Sequence, residues 1–340
     1  MLDEFLETRG ERLIADPVRR AVFQHDLWAV FDWLAGGAEG DPDARKAIMP
    51  RVARLIRRVA LSREQIDKLP NNYAVALASQ AFADRFDPAH SDRVFLPREL
   101  FTAGGPWVVI VGLEPVASQH AGELSHSAFS VIWRLPGGES PTLAYLKKLW
   151  DFPEPYVVDP FVTDGERRVM VNPALPAVPD GAHIALVRRM LLIDQLGTIV
   201  PSTLTENIQL RLLFKRDQLF FEFRMRRRRL FAGEAGGLEA VRPGDQAYFT
   251  FSSHGIDPLE RHPGSLRLPE ILQGCRNCHQ PGPAIQSILS VRRLLKPYAL
   301  LDSRHPRWDR WFNQATVAAE QKARRADWGL LQGFWQSNPW

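Results

Sequence analysis

The sequence predicts an α+β fold: helices first, a mostly antiparallel sheet next, and a short helical segment towards the C-terminus. Three observations predict it. Apolar residues recur at helical spacing over residues 1–90, alternate with polar ones at period two within 91–255, and return to helical spacing within 256–340. These three ranges are the expected structural units. A chain of 340 residues with 45% hydrophobic and 24% charged residues can bury a sizeable core.

The elements follow in order. Over Val18–Leu34, the residues Phe23, Leu27, Val30, Phe31 and Leu34 form one apolar stripe of a helix. Asp41 followed by Pro42 is an N-cap with proline in the first turn. The helix it opens buries Ile48, Val52, Leu55, Ile56 and Val59 and is expected to kink at Pro50. Ser62 and Gln65 have capping-box spacing, and a further helix is expected from Asn72 to Phe82. Trp107–Val111 and Phe129–Trp133 read as strands bounded by Gly104-Gly105-Pro106 and Pro136-Gly137-Gly138. A short helix opens at Ser140-Pro141 and runs to Leu149, and His183–Ile193, apolar on both faces, reads as a central strand. Ile208, Leu210 and Leu212 alternate with Gln209 and Arg211, and Leu219, Phe221 and Phe223 with Phe220, Glu222 and Arg224; joined through Arg216-Asp217-Gln218, they make a hairpin with one dry face. Gln246–Phe251 is a further strand. Pro306–Ala326 is a helix with Trp308, Trp311, Phe312, Ala315 and Ala319 on one side.

The chemistry concentrates in residues 275–279, Cys-Arg-Asn-Cys-His, which contain both cysteines of the chain. With only two cysteines, chance is a poor explanation for this spacing, and no disulfide framework staples the fold. Two thiols three positions apart can each add to a vinyl group of one porphyrin, and the histidine that follows then reaches the iron. A covalently attached haem c is therefore expected on Cys275 and Cys278, with His279 as the proximal ligand. Zinc held by the thiolates with His279, His254, His262 or His305, a thiol-redox pair, and an inert box are the rival readings. The residues before the box, Leu268 to Gly274, read as a helix ending at Gly274.

The box resembles that of c-type cytochromes. More broadly, residues 24–33 (QHDLWAVFDW), 68–73 (KLPNNY) and 134–138 (RLPGG) are similar to stretches of exported bacterial proteins that end in a single haem-c box. That resemblance implies export and haem attachment, and no particular reaction. The N-terminus lacks the basic-then-apolar layout of a secretory leader, so the expectation is a periplasmic or otherwise exported chain whose leader has been removed.

Small cytochromes place a methionine downstream of the box, whereas Met1, Met49, Met170, Met190 and Met225 all lie upstream. His305, in a turn before the aromatic helix, and His254, at a strand end, are the candidate distal ligands. With either one bound, the protein is a redox module that passes electrons to a protein partner or larger complex. With the sixth position open it is a haem enzyme or gas sensor for peroxide, nitric oxide or carbon monoxide.

The remaining features carry bland readings. His25 shares a helix face with Ala21, Trp28 and Asp32 and reads as structural; His120 and His126 lie in a polar stretch without a catalytic partner in sequence. Arg226–Arg229 reads as a solvated strand end, with docking of an acidic partner or pairing with haem propionates as the functional alternatives. The Trp-rich tail from Trp328 reads as core packing, and the glycine pairs as turns. A net charge of +4 without interleaved aromatics argues against nucleic acid, and no apolar run is long enough to span a membrane.

Overall fold

The computed structural model describes residues 1–36, 41–102, 104–110, 126–158, 169–215, 217–245, 270–280, 300–301 and 319–337. It is α+β, with helices towards both ends and a mostly antiparallel sheet between them. The N-terminal helices are α1 (Leu2–Glu7), α2 (Pro17–Ala35), α3 (Pro42–Arg58), α4 (Arg63–Asp67) and α5 (Asn72–Ala78). Asp16 caps α2 by accepting from Val18 N and Arg19 N, Asp41 caps α3, and the Ser62–Gln65 capping box opens α4. Pro50 lies inside α3, and α5 stops at Ala78, short of the expected Phe82.

The main sheet is built from β1 (Val108–Ile110), β2 (Ser127–Arg134), β5 (His183–Ile193), β6 (Ile199–Phe214), β7 (Asp217–Met225), β8 (Leu238–Ala240) and β9 (Leu300–Leu301). Its order is β8-β7-β6-β5-β2-β1-β9, with antiparallel pairing throughout; β3 (Tyr156–Val158) and β4 (Val169–Val171) pair separately. Helix α6 (Glu139–Trp150) follows β2. The β6–β7 turn is tighter than Arg216-Asp217-Gln218 suggests: β6 runs to Phe214, β7 starts at Asp217, and Lys215 takes a left-handed φ of 50°.

Arg226–Arg229 is not a strand end. It opens the short helix α7 (Arg227–Phe231), where Arg226 pairs with Glu239, Arg227 with Asp26, and Arg229 with Glu234 and Glu239. Helix α8 (Ile271–His279) and helix α9 (Ala326–Ser337) complete the described elements. The expected strand Gln246–Phe251 and the first part of the helix Pro306–Ala326 lie outside the described residues. Residues 319–323 are helical, residues 324–325 break the helix, and α9 starts at Ala326.

The expected dry face of the hairpin is present. Ile208, Leu210, Leu212, Phe221 and Phe223 join Ala185 and Val187 in one cluster with Tyr73, Phe95 and Trp107. On the other face, α6 inserts Leu146 and Leu149 against Val131, Trp133, Ile184 and Leu186. At the far end of β5 and β6, α2, α3 and α9 share a cluster containing Trp28, Phe31, Met49, Leu191, Trp328 and Trp335, so the tryptophans of the tail are core residues.

Two buried amides dock helices onto the sheet. Gln24 of α2 donates to Ile193 O (2.7 Å) and accepts from Ile193 N (2.9 Å), extending the ladder of β5 onto a helix. Asn72 of α5 does the same for Thr205 of β6 (2.9 and 2.7 Å). Each satisfies a backbone pair that would cost about 1–3 kcal/mol if buried without partners. Gly236 allows a 3-10 turn to abut α5, since a Cβ there would stand 1.9 Å from Asn72 O at a φ of 61°.

His183 opens β5 against the rings of Phe86, Phe95 and Trp107. Burial, reinforced by repulsion from Arg134, lowers its pKa from 6.5 to about 4. The unfolded chain takes up this proton near pH 6.5 and the folded chain only near 4. Its contribution to stability is therefore complete above about pH 6.5 and declines as pH falls towards 4, by up to about 3 kcal/mol. Urea denaturation of His183→Phe is expected to show a shallower loss of stability between these limits than the parent; equal slopes would contradict the assignment.

Candidate functional site

The register of the sheet makes one face change character across its width. Directly paired residues of an antiparallel sheet share a face. The row Trp133–Ile184–Arg211–Phe220 starts apolar on β2 and β5 and reaches arginine on β6. The row Val131–Leu186–Gln209–Glu222 does likewise, and Arg188–Asn207–Arg224–Glu239 is polar throughout. The apolar half lies under α6. Over the polar half sits α8, the helix that carries Cys275, Cys278 and His279.

Helix α8 does not end at Gly274. It continues through the box to His279, because Gly274 N still donates to Glu270 O and Gln280 N closes the last turn on Arg276 O. The i, i+4 spacing therefore puts Cys275 and His279 on one face. Cys275 is buried, its Sγ 4.0 Å from Glu222 Oε2. The other oxygen of Glu222 accepts from Asn207 Nδ2 (2.7 Å) and Arg224 Nε (2.6 Å). Arg211 reaches up from β6: Nη1 stands 3.3 Å from His279 Nδ1, Nη2 donates to His279 O at 3.1 Å, and Nε donates to Gln218 Oε1 at 2.7 Å. The His279 ring leans over Phe220, 6.0 Å between centroids. Burial lowers the pKa of Arg211 to about 10, so the group remains a cation and a donor at neutral pH. Val241, Ile271 and Leu272 form a small apolar footing at the start of α8.

A second polar centre lies on the same sheet beneath α2. The pairing of β5 with β6 shifts between Arg188–Asn207 and Arg189–Thr205, which leaves Glu206 as the extra residue of a bulge. Glu206 accepts from Ser127 Oγ (2.5 Å), and its other oxygen is 3.4 Å from His25 Nε2. His126 Nε2 meets Asp32 Oδ2 at 2.6 Å, the rings of His25 and His126 are 5.7 Å apart, and Lys322 bridges Asp32 and Asp327. His25, Asp32 and His126 are each no more than 1% exposed. Burial, with repulsion from His126, Arg227 and Arg188, holds the pKa of His25 well below 6.5, so the ring is neutral. Burial alone would raise the pKa of Asp32, but attraction to His126 and Lys322 outweighs it and the net shift is downward.

His126, whose neighbours in sequence suggest no catalytic pair, forms a buried pair with Asp32, a residue 94 positions away that only folding brings near. The stripe read on α2 is also incomplete. Phe31 and Leu34 are buried, whereas the face in deepest contact carries Ala21, Gln24, His25, Trp28 and Asp32. His254 and His305, the candidate distal ligands, lie outside the described residues, as do His120 and His262. Met49 and Met190 are buried in apolar clusters under α2 and α3. Among the described residues no group of three His, Cys, Asp or Glu is placed to hold a metal ion, and no helix is long and apolar enough to cross a membrane.

The donor set of the box fits a haem c: two thiols at i and i+3 and an imidazole at i+4 on one helix. The partner of the imidazole does not yet suit ligation. Arg211 can only donate, so Nδ1 accepts and the ring proton sits on Nε2; ligation through Nε2 needs that proton on Nδ1 instead. Compared with protein-family models, curated proteins and solved structures, the chain matches none.

Lys322 ties the C-terminal helices to α2 through a buried ion pair, so Lys322→Met removes the cation that bridges Asp32 and Asp327, leaving Asp32 to His126 and Asp327 to Arg325. The expected loss is about 3–5 kcal/mol in urea denaturation, with part of it recovered when Asp32→Asn is added. A loss under about 1 kcal/mol for the single variant would show that the pair is not a tie.

Proposed function

We propose that this protein is an exported, monohaem c-type cytochrome-like redox module. The observation that carries the reading is the Cys275–Cys278–His279 spacing on one face of α8. Cys275 and Cys278 would hold the porphyrin by thioether bonds and His279 would ligate the iron. His305 or His254 would supply the distal ligand from segments near the box in sequence. The bound group would supply one-electron chemistry. Of the residues around it, Glu222, fixed by Asn207 and Arg224, stands beside the thiol of the first cysteine, and Arg211 would have to release His279 Nδ1 before Nε2 could ligate. The cationic groups Arg211 and Arg224 beneath the helix suit the carboxylates of a porphyrin. An acceptor or donor protein, or a larger complex, is the expected partner.

An open sixth position, in a haem enzyme or gas sensor, is the alternative. It is motivated by the placement of Met1, Met49, Met170, Met190 and Met225, all upstream of the box.

Expression with a cytochrome c maturation system, followed by intact-mass measurement and haem staining of a denaturing gel, tests the reading. The expected result is one haem added to the polypeptide mass, lost in Cys275→Ser with Cys278→Ser. A polypeptide mass alone would overturn it. In the ferrous spectrum, a six-coordinate low-spin iron that binds carbon monoxide slowly supports the redox module; a five-coordinate iron that binds it at once supports the alternative.

A further inference from the structure

The surface at the start of α2 sets an exposed apolar knob beside an apolar hole. The knob is Leu13, the last residue of a 3-10 turn (Gly10–Leu13), and it is 88% exposed. The turn that presents it is held in place. Phe5 lies so close on the buried Gly10 that a Cβ there would stand 2.4 Å from its ring, and Arg9 takes a left-handed φ of 55°. The Phe5 ring also meets Phe23 of α2 edge-on, 6.2 Å between centroids, which fixes the turn to the helix. Leu13 is thus positioned before any partner arrives, and little ordering entropy is left to lose on binding.

The hole is a cleft of about 590 Å³ between the start of α2 and α7, with Ile14, Val22, Phe23 and Phe231 as its apolar lining. Its rim pairs acids with arginines. Asp16 stands 3.9 Å from Arg19, and Asp26 pairs with Arg227; these four side chains are between 30% and 55% exposed. Arg19 also lies over the Phe231 ring, 4.8 Å from its centroid. On the turn itself, Glu11 and Arg12 precede the knob. Acids and bases therefore balance across the patch.

That balance discriminates between occupants. A strongly acidic or basic partner, or an anionic lipid surface, gains no net attraction from a neutral rim. A patch that carries both signs suits its own copy, because a two-fold axis can set the acids of one against the bases of the other. Position argues the same way. A knob and a hole far apart on a surface would chain copies end to end; side by side, they close into a pair.

We propose that this patch joins two copies of the chain in an isologous dimer, with Leu13 of each copy seated in the cleft of the other, against Phe23 and Phe231. One apolar knob and a polar rim make a small interface, so the expected Kd is about 10–100 μM. The proposal stands apart from the haem reading.

Sedimentation equilibrium of the full chain between about 1 and 500 μM tests it. The mass is expected to rise from one chain to two across this range. Leu13→Asp is expected to weaken association at least about tenfold and to leave thermal unfolding unchanged, since the side chain is exposed in the single chain. Leu196→Asp is the control: it alters a leucine that is 84% exposed but does not line the cleft, and association is expected to stay within about twofold. A chain that stays single at 500 μM overturns the proposal, including one that instead binds anionic vesicles through Leu13. So does a dimer that Leu13→Asp leaves intact, or one that Leu196→Asp weakens as much.

Discussion

Glu222 is buried in the middle of a strand, at 1% exposure, where a charged carboxyl group must be satisfied on the spot. Asn207 and Arg224 take one of its oxygens from the neighbouring rows, and the thiol of Cys275 approaches the other. The rest of the polar half of the sheet follows the same rule. Arg211 spends its donors on Gln218 and on the last turn of α8. An apolar helix could not cover this face without stranding several charges. Helix α8, short, polar and carrying the only cysteines of the chain, covers it. Packing thus selects the position of the box, and the chemistry of the box lies on a floor of fixed hydrogen-bonding groups.

The bulge at Glu206 extends that polar surface to a second centre. By displacing one residue from the ladder it turns a carboxyl group towards α2, where His25 and His126 approach. Asp32 and Lys322 then carry the network to the C-terminal helices. Both ends of the chain are therefore held to one strand pair by buried polar contacts as well as by the aromatic cluster of Trp28, Trp328 and Trp335. Buried ion pairs of this kind add little net stability compared with apolar packing, but they penalise every arrangement that separates the partners.

Local rules made much of this legible from sequence. Caps at Asp41 and Ser62, the alternation of β6 and β7 and the doubly apolar β5 each depend on neighbours within a few residues, and each element forms where those neighbours place it. The polar alternates of the hairpin were equally visible as Gln209, Arg211, Glu222 and Arg224. What covers them was not, since α8 follows β7 by more than forty residues. The His126–Asp32 pair stayed hidden for the same reason. On α2 the apolar stripe drew attention away from Gln24, His25 and Asp32, because periodicity counts hydrophobic residues and is blind to polar side chains buried with partners from distant strands. The run Arg226–Arg229 misled as a strand because its composition is neutral between the two states; the turn at Gly233 and the acids Glu234 and Glu239 are what settle it as a helix.

The claim that most depends on this account is that the box helix is docked on the polar half of the sheet, with its first cysteine buried there. Alkylation of Cys275 in the haem-free chain carrying Cys278→Ser, followed by mass spectrometry, reads that docking directly. The account predicts modification at least about tenfold slower than in the urea-unfolded chain, and faster when Arg211→Ala removes the contact with the end of α8. Modification of the folded chain at the unfolded rate would contradict it.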